Sequence, residues 1–329
     1  MSVLVTGGAG YIGSHMVWEL VGRGEKVVVL DDLSSGFEWA VAPQAELVVG
    51  DIGDRVLLDR LMRSRGVETV MHFAGSVVVP DSVADPLGYY LNNTVKSREL
   101  IAASIANGVE NFVFSSTAAV YGIPATVPVP EQAPLDPLSP YGASKAMTER
   151  MLADAAAAYQ LRYAVLRYFN VAGADPQART GQSTRGATHL LKVAIEAATG
   201  QREHVAVFGT DYDTPDGTAI RDFIHVADLG RAHSVALDHL RGGGKNLVLN
   251  CGYGRGYSVL ELLDAVQRVA GRPLDIRARA RRTGDIPVMV AAADAIRSEL
   301  AWKPRHDDLG TIVEHALGWE MKLIRRLAA

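Results

Sequence analysis

A chain of 329 residues, 48% apolar and 21% charged, is long enough for two interlocked domains and has the composition of a soluble globular protein. Its formal net charge of −4 lacks the basic excess typical of nucleic-acid and membrane-surface proteins, so we expect neither partner. The single cysteine, Cys251, excludes an internal disulfide and agrees with a reducing compartment. The first apolar run is too short for a signal peptide, and no stretch approaches the roughly 20 apolar residues of a membrane span. We therefore expect a cytoplasmic protein.

The first half of the chain alternates short β-branched runs with longer helical patterns. Strands are predicted over residues 3–6, 27–30, 47–49, 69–73, 112–115 and 163–168. Helices are predicted near residues 11–23, 54–64 and 82–107, and again from Ser139. This alternation predicts an α/β fold with a doubly wound parallel sheet of the Rossmann type and helices on both faces.

The second half is less regular and is punctuated by proline and glycine, including the run 242–244, GGG. Helical patterns recur near residues 187–199, 226–240, 258–270 and 307–325. We predict a nucleotide-binding domain over residues 1–170 and a smaller α/β substrate-binding lobe over 171–329. The segment near 222–250 resembles strand and helix material, and we expect it to rejoin the first domain.

A glycine-rich turn, TGGAGYIG over residues 6–13, lies directly between the first predicted strand and the first predicted helix. Glycines let the backbone turn tightly and approach a pyrophosphate, which the helix N-terminus then binds through free N–H groups. Asp31 ends the second strand, where an acid binds the adenosine ribose hydroxyls. Because this carboxylate and Asp32 would repel a 2′-phosphate, we predict NAD rather than NADP. The alternative is a tight turn without a ligand.

Tyr141 is the only one of eleven tyrosines that has a lysine, Lys145, four residues later. Positions i and i+4 of a helix share one face, so the ammonium can act on the phenol directly or through a shared ribose. Free tyrosine has a pKa of about 10, and a base working near neutrality needs a decrease of about three units. A nearby ammonium and a nicotinamide cation could supply it, so we predict a catalytic pair. The alternative is an ordinary pair of surface neighbours.

A third motif, FSSTAAVYG over residues 114–122, ends a predicted strand. Ligands of doubly wound sheets gather at such strand ends, and the Thr117 hydroxyl can donate a hydrogen bond to a substrate oxygen. The alternative role for Thr117 is to cap the backbone where the strand ends.

These segments together resemble the extended short-chain dehydrogenase/reductase family and, within it, the UDP-sugar 4-epimerases. The resemblance extends over nearly the whole chain. Its markers are residues 6–13, 50–52, 72–75, 89–93, 115–122, 141–145, 166–170, 207–211, 221–228 and 282–287. So many matches in order are far more specific than any single motif.

The resemblance implies an enzyme that interconverts UDP-glucose and UDP-galactose with a retained NAD and no metal. It implies that Tyr141 is the acid/base, that Lys145 holds the nicotinamide ribose and lowers the tyrosine pKa, and that Thr117 bonds the sugar O4. The sugar would be oxidised at C4, would rotate as a 4-keto intermediate, and would be reduced again on its other face. The implied NAD contacts are Gly7, Gly10, Tyr11, Ile12, Gly13, Asp31, Asp51, Ile52, Phe73, Ala74, Gly75, Asn92, Tyr141, Lys145 and Phe169. The implied UDP-sugar contacts are Thr117, Tyr141, Asn170, His189, Leu190, Ala206, Phe208, Arg221, Arg282 and Asp285.

Two of these substrate residues also make physical sense on their own chemistry. Arg221 and Arg282 suit a diphosphate because a guanidinium binds phosphate oxygens in bidentate fashion. The alternative for the basic stretch 277–282 is a solvated surface, which we prefer for Arg277 and Arg279.

Three positions depart from the family pattern. Val77 stands where some members carry a lysine near the cofactor phosphates, and His189 stands where many carry an asparagine. Met289 aligns with the residue thought to gate substrate size and is less bulky than the tyrosine of strict glucose/galactose enzymes. From Met289 we hypothesise some tolerance for N-acetylated sugars.

Other activities remain open from the sequence. A sugar-nucleotide dehydratase would have an Asp-Glu pair directly after the threonine, where this chain has Ala118 and Ala119, which cannot shuttle protons. A pentose or uronate UDP-sugar is harder to exclude, whereas a non-catalytic dinucleotide-binding protein is disfavoured by the intact Tyr141/Lys145 pair. The resemblance also implies a homodimer formed by the helices near 88–107 and 141–160, although apolar stripes there could equally be core.

Overall fold

A seven-stranded parallel sheet forms the centre of the computed structural model, which describes residues 1–184, 186–282 and 284–328. The strands in chain order are β1 (Ser2–Thr6), β2 (Val27–Asp31), β3 (Glu46–Val49), β4 (Val67–His72), β5 (Asn111–Thr117), β6 (Arg162–Tyr168), β7 (Asn170–Ala172), β8 (Val205–Phe208), β9 (Ile220–Arg221), β10 (Phe223–His225), β11 (Leu247–Cys251), β12 (Tyr257–Ser258), β13 (Ile276–Arg279) and β14 (Val288–Met289). The central sheet has the order β11-β6-β5-β4-β1-β2-β3, and every neighbouring pair in it is parallel.

Helices cover both faces of this sheet. They are α1 (Tyr11–Gly22), α2 (Arg55–Arg65), α3 (Val79–Ala84), α4 (Pro86–Tyr89), α5 (Lys96–Ala106), α6 (Pro140–Ala158), α7 (Leu190–Ala198), α8 (Val226–Arg241), α9 (Val259–Ala270), α10 (Asp294–Leu300) and α11 (Leu309–Ala328). Helices α1 and α8 pack together on one face, and α2, α5 and α6 pack on the other. Each face buries its own apolar core, because a parallel sheet has to be covered on both sides.

The predicted α/β, doubly wound fold is confirmed. One predicted helix differs, because the segment near 82–107 is divided into α3, α4, a π-helical turn over Tyr90–Val95, and α5. Pro86 cannot continue a helix from the preceding residue, and the Asp85 carboxylate instead accepts a hydrogen bond from the Gly88 N–H, 3.0 Å away, to start α4.

The second half of the chain builds a set of small sheets. They pair β7 with β10, β8 with β13, and β9 with both β12 and β14. Helices α7, α9 and α11 pack beside them, whereas β11 lies in the central sheet next to β6. Where one domain ends and the other begins stays a prediction. In the part of the chain that the structure describes, no helix has the length and apolar character needed to cross a membrane.

Candidate active site at the carboxyl edge of the sheet

The strand order reverses on either side of β1, and the crevice at such a point is where doubly wound sheets bind ligands. The predicted cofactor residues follow the carboxyl ends of different strands of this one sheet. Gly7 to Gly13 follow β1, Asp31 ends β2, Asp51 and Ile52 follow β3, and Phe73, Ala74 and Gly75 follow β4. Parallel strands place these ends at the same edge, so residues far apart in sequence come together.

The glycine-rich turn needs its glycines for steric reasons. Gly7 has φ +70°, and a Cβ on it would lie 2.5 Å from the backbone nitrogen of Ala74. A Cβ on Gly13 would collide with the carbonyl oxygen of Gly7. The turn therefore packs directly on the segment that follows β4. Gly10 begins α1 without a side-chain cap, so the first N–H groups of the helix are available to an anion.

Asp31 is nearly buried, and its two carboxylate oxygens are oriented by backbone donors. Oδ2 accepts a hydrogen bond from the Ala9 N–H, and Oδ1 accepts one from the Leu33 N–H, both at 2.9 Å. Burial raises the pKa of this carboxyl above its ordinary value, and the two N–H donors oppose that rise. Because each carboxylate oxygen has a second lone pair, Asp31 can still accept hydrogen bonds from ribose hydroxyls.

Asp51 is held by a partner that the sequence did not suggest. Lys96, at the start of α5, donates to its Oδ2 at 2.5 Å, and the Gly53 N–H donates to its Oδ1 at 2.7 Å. Burial alone would raise the pKa of Asp51, but these contacts outweigh it and lower the pKa. The neighbouring Ile52 is 6% exposed and packs into the core.

The segment after β4 is fixed by the amide of Asn93. This buried side chain accepts a hydrogen bond from the Ser76 N–H at 2.8 Å and donates to the Ser144 hydroxyl on α6 at 3.1 Å. Asn92, a predicted cofactor residue, donates to the Ser76 hydroxyl at 2.9 Å. The π-helical turn that contains both asparagines thus joins the cofactor edge to the Tyr141 helix.

Thr117 and Tyr141 come together because α6 begins against the end of β5. Ser139 caps α6 by accepting a hydrogen bond from the Gly142 N–H at 3.2 Å, and Pro140 occupies the first turn, where proline is well tolerated. A Cβ on Gly142 would lie 2.5 Å from the carbonyl oxygen of Ala119, so the glycine is what permits this approach. Thr117 also accepts a hydrogen bond from the Ala119 N–H at 3.1 Å, so its capping role is present beside any catalytic one.

Lys145 is 3% exposed, and its ammonium donates to the Ser115 carbonyl oxygen at 2.9 Å. The ammonium also lies 4.9 Å from the centre of the Phe114 ring. Burial lowers the pKa of Lys145 to about 8, against the charge of Glu149, which raises it. The amine is therefore mostly protonated at neutral pH and sits close to its titration point.

The expected decrease of the Tyr141 pKa, which called for both the Lys145 ammonium and a nicotinamide cation, does not arise from the protein groups on their own. Burial raises the pKa of Tyr141 to about 12, although the Thr117 hydroxyl acts in the opposite direction. The physical reason is that desolvation disfavours the phenolate and the ammonium of Lys145 is directed to the Ser115 carbonyl. The protein groups alone therefore leave the phenol protonated at neutral pH, which agrees with the expectation that the nicotinamide cation shares in lowering the pKa.

The predicted substrate residues lie in the second half of the chain. Arg221 on β9 forms an ion pair of 2.6 Å with Asp285, and the Arg282 guanidinium stacks 3.9 Å from the centre of the Phe208 ring on β8. The others in this set are Asn170 on β7, His189 directly before α7, Leu190 at its first position, and Ala206 on β8. The pairing of Arg221 with Asp285 leaves the guanidinium partly exposed and preoriented by a carboxylate.

Met289 links the predicted substrate residues of the second half of the chain to the predicted cofactor residues of the first half. It pairs with Arg221 across β14 and β9, and its side chain packs in one cluster with Ala118 and Phe169, the predicted cofactor residue after β6. Tyr11 makes a second link, because its hydroxyl donates to the Gly173 carbonyl at 2.7 Å and its ring lines a cavity with His189. Val77, in contrast, is 50% exposed and brings no charge to the site.

Sequence reasoning missed a buried ion pair that joins the Tyr141 helix to β6. Glu149 and Arg167 are each about one-twentieth exposed and are joined at 2.6 Å. The spacing of Glu149, one further turn beyond Lys145 on the same helix face, was a signal that could have found it. Its partner is on β6, and no sequence spacing indicates that contact.

These arrangements fit a dinucleotide. The cradle at Gly7 and Gly13 excludes side chains where a pyrophosphate would approach, the α1 N-terminus is uncapped, and the Asp31 carboxylate is oriented beside them. Arginine and lysine are absent from the segment 32–36, so this segment brings no positive charge to an additional phosphate on the ribose.

Known proteins share this architecture and sequence. Residues 3–252 match the family described as Epimerase, NAD dependent epimerase/dehydratase family. The chain is 57% identical over 321 residues to the UDP-glucose 4-epimerase of Azospirillum brasilense, a match that covers 98% of this chain and 92% of that protein.

Solved structures agree with this match. The UDP-glucose 4-epimerase from Brucella ovis in complex with NAD has a TM-score of 0.94 and 43% identity, covering 96% of this chain and 97% of that one. The UDP-Glc/GlcNAc 4-epimerase from Campylobacter jejuni has a TM-score of 0.86 and 42% identity, covering 98% and 99%. This chain therefore belongs to the NAD dependent epimerase/dehydratase family.

Proposed function

We propose that this protein is an NAD-dependent epimerase that interconverts UDP-glucose and UDP-galactose by inverting the sugar at C4. The observation that carries the proposal is the meeting of Thr117, Tyr141 and Lys145 at the sheet edge that also holds the dinucleotide cradle. It is supported by 57% identity to a UDP-glucose 4-epimerase over nearly the full chain.

In the proposed reaction, the Tyr141 phenol is the group that takes and returns the proton of the sugar 4-hydroxyl. NAD, when bound, supplies the hydride chemistry at C4 and is regenerated, so no net oxidation occurs. Lys145 contributes its ammonium charge beside the phenol, and the Thr117 hydroxyl donates a hydrogen bond to the sugar O4. Gly7, Gly13 and Asp31 would hold the cofactor in the same crevice.

The substrate residues are proposed to hold the nucleotide part firmly and the sugar loosely. Arg221 and Arg282 suit the diphosphate, since both guanidiniums are oriented by neighbours, Asp285 in one case and the Phe208 ring in the other. A sugar that is anchored only through its diphosphate is free to turn its other face to the cofactor. That freedom is what inversion, rather than simple oxidation, requires.

Elimination of the 6-hydroxyl is a weaker candidate, although dehydratases share the fold and the Tyr–Lys pair. Ala118 and Ala119 follow Thr117 at the start of a 3₁₀ turn and offer no acid or base. With no proton-shuttling group at these two positions, the site is better suited to a reversible oxidation at C4 than to the loss of water.

The proposal is tested by incubating the purified protein, without added NAD, with UDP-glucose, UDP-galactose and pentose, uronate and N-acetylated UDP-sugars. We expect UDP-galactose and UDP-glucose to interconvert, which also requires that the protein retains its NAD. Formation of a dehydrated 4-keto-6-deoxy sugar, or binding without turnover of any UDP-sugar, would contradict the proposal.

We also propose that the site accepts N-acetylated sugars to some degree. Met289 is 6% exposed and contacts the cluster that contains Ala118 and Phe169, so a flexible, unbranched side chain stands where sugar bulk has to be accommodated. The related Campylobacter jejuni protein is described as a UDP-Glc/GlcNAc 4-epimerase. Turnover of UDP-galactose with no detectable turnover of UDP-GlcNAc would remove this extension.

A second copy of the same chain is the proposed partner. Helices α5 and α6 lie side by side, and a groove between them is lined by Ile101, Ile105, Met151 and Ala155. Exposed apolar side chains accompany it, namely Val95 directly before α5, Met147 in α6 and Tyr159 directly after α6. Two such helices from each of two chains would bury this apolar surface in a four-helix bundle. Light scattering should give the mass of a dimer, and Met147→Glu should shift it towards the monomer.

We further propose that the protein works in the cytoplasm. Cys251 is buried and forms no disulfide, and burial raises the pKa of its thiol well above the ordinary value. The thiol is therefore unreactive, and the fold does not depend on disulfide formation in an oxidising compartment. Cell fractionation with a compartment marker tests this location.

A further inference from the structure

The face of α6 that carries Tyr141 and Lys145 continues for one more turn to Glu149. These residues are spaced at i, i+4 and i+8, so they form one row along the helix. Each meets one of three consecutive residues at the end of β5. Tyr141 lies near the Thr117 hydroxyl, Lys145 donates to the Ser115 carbonyl, and Glu149 accepts from the Ser116 hydroxyl.

Glu149, the last residue of this row, is bound by side chains from other parts of the fold. Arg167 on β6 binds both carboxylate oxygens, with its Nη2 2.6 Å from Oε2 and its Nε 3.1 Å from Oε1. Arg167 Nη1 donates in turn to the Tyr121 hydroxyl and to the Glu131 carbonyl, both at 2.9 Å. Tyr121 donates to Asn250 on β11 at 2.6 Å.

We propose that Glu149 is a positioning residue for the reaction. With Arg167 and Ser116 it locks α6 in register with β5, and it places a carboxylate one turn beyond the buried Lys145 on the same helix face. The inference rests on the proposed function, because it assigns Glu149 a role in supporting the Tyr141/Lys145 acid/base centre.

Stability by itself does not account for this buried pair. Replacing a buried ion pair with apolar side chains of similar volume is often neutral or stabilising, so burial of Glu149 and Arg167 is weak evidence of a purely structural role. Lys145, in contrast, needs a nearby negative charge. Burial lowers its pKa to about 8, and Glu149 is the group that acts against this decrease.

The other titratable groups around this row do not supply the missing negative charge. His72 on β4 is buried, and burial holds its pKa at about 3, so it is neutral. Burial raises the pKa of Tyr121 and of Tyr163, so both phenols are neutral as well. Glu131 contributes its carbonyl oxygen to Arg167 and its carboxylate to the Asn250 N–H, which leaves Glu149 as the carboxylate on the Lys145 face.

The decisive variant is Glu149→Gln, which keeps the shape and the contact with Ser116 but removes the charge. Without the carboxylate the pKa of Lys145 falls, so the ammonium is lost at lower pH. We expect the alkaline limb of the kcat–pH profile to move to lower pH by the same amount as the pKa of Lys145 falls. KM for the UDP-sugar should change little, because Glu149 does not touch the proposed substrate residues.

A matched control is Glu68→Gln. It removes the same charge from another ion pair, in which Arg241 lies 2.5 Å from Glu68 near the beginning of β4, at the opposite edge of the sheet. This variant should leave the pH profile unchanged even if it lowers the melting temperature.

Glu149→Gln leaves Arg167 unpaired and could fail to fold. In that case the double variant Glu149→Met/Arg167→Met is used to test the same role. The apolar pair restores a stable core, and we expect a smaller shift of the alkaline limb in the same direction. A stable double variant with the wild-type pH profile would show that the pair serves only the fold and would overturn the proposal.

A readout that needs no turnover separates this inference from the proposed function. Nuclear magnetic resonance titration of the lysine side chains, with the Lys145 signal assigned from its absence in the Lys145→Met counterpart, reports the pKa of Lys145 directly. We expect that pKa to be lower in the Glu149 variants than in the wild type. If no UDP-sugar is turned over by the wild type, the proposed function fails and the titration still decides the role of Glu149; an unchanged Lys145 pKa would contradict it.

Discussion

Gly142 lies so close to Ala119 that a Cβ added to the glycine would stand 2.5 Å from the alanine carbonyl oxygen. The contact joins the first turn of α6, which carries Tyr141, to the turn that follows Thr117. The distance between the proposed base and the proposed sugar-binding hydroxyl is therefore set by a residue that has no chemistry of its own.

Replacing this glycine with alanine should damage activity more than stability. Because the Ala119 oxygen belongs to the backbone, Gly142→Ala has to push the start of α6 away from Thr117. A displacement of about 1 Å in an acid/base site costs on the order of a hundredfold in kcat. Steady-state turnover of UDP-galactose measures the loss, and NAD content should remain at the wild-type level.

The matched control is Gly318→Ala in α11, where an added Cβ meets nothing within 4 Å. Alanine in an open helical position should stabilise the protein by up to about 1 kcal/mol and leave kcat unchanged. Equal activity of the two variants would show that the approach of Gly142 to Ala119 is not needed for catalysis.

Asp31 should control the affinity for the cofactor. Asp31→Asn removes the negative charge and one of two acceptor oxygens, so NAD should bind about tenfold to a hundredfold more weakly, as expected for a hydrogen bond to a charged group. Asp32→Asn is the control, because Asp32 is exposed and its Oδ1 accepts from the Ser34 N–H at 2.9 Å. Calorimetric titration of protein stripped of NAD compares the two; similar affinities would contradict the assignment.

Features encoded by neighbouring residues could be predicted from the sequence. The glycine turn, the acid at the end of β2 and the Tyr–Lys spacing each depend on a few adjacent positions and one type of secondary structure. Alternation of strand and helix was enough to predict the parallel sheet, and the parallel sheet places every strand end at the same edge. Pro86 also signalled an interruption in the sequence, although we predicted one continuous helix over 82–107.

Contacts between distant strands and helices could not be predicted in the same way. Lys96 binds Asp51 across 45 residues, and Arg167 on β6 binds Glu149 on α6, so neither pair has a local spacing that reveals it. The direction in which the Tyr141 pKa shifts also depends on burial and on where the Lys145 ammonium points, and both are properties of packing. Whether each predicted site residue contacts cofactor or substrate remains a prediction.

Met289 should set the size of the accepted sugar. Met289→Tyr places a larger, stiffer side chain in the cluster with Ala118 and Phe169. We expect kcat/KM for UDP-GlcNAc to fall at least about tenfold more than kcat/KM for UDP-galactose, a usual discrimination for a change in pocket volume. Parallel loss with both substrates would instead indicate general damage to the site.

Buried neutral histidines should make the fold sensitive to mild acid. Burial holds the pKa of His233 at about 4 and that of His72 at about 3, against an ordinary value of 6.5. Between about pH 4 and 6.5 the unfolded chain therefore binds protons that the native protein does not, so the free energy of unfolding falls as the pH falls. Each such histidine contributes about 1.4 kcal/mol per pH unit in that window.

Thermal melts across this range measure the effect. His233→Gln removes one titrating group and should flatten the dependence of the melting temperature on pH below 6.5. His204, which is only partly buried and for which Gln is equally conservative, provides the control substitution. A His233 variant with the wild-type slope would show that this histidine already protonates in the native protein.

The most direct test of the central claim is Tyr141→Phe, measured for both turnover and bound NAD. Phenylalanine keeps the ring but removes the phenolic proton, so we expect loss of UDP-galactose turnover to background while the purified variant retains wild-type NAD content. Turnover close to that of the wild type, with the cofactor still bound, would contradict the assignment of Tyr141 as the group that takes and returns the sugar proton.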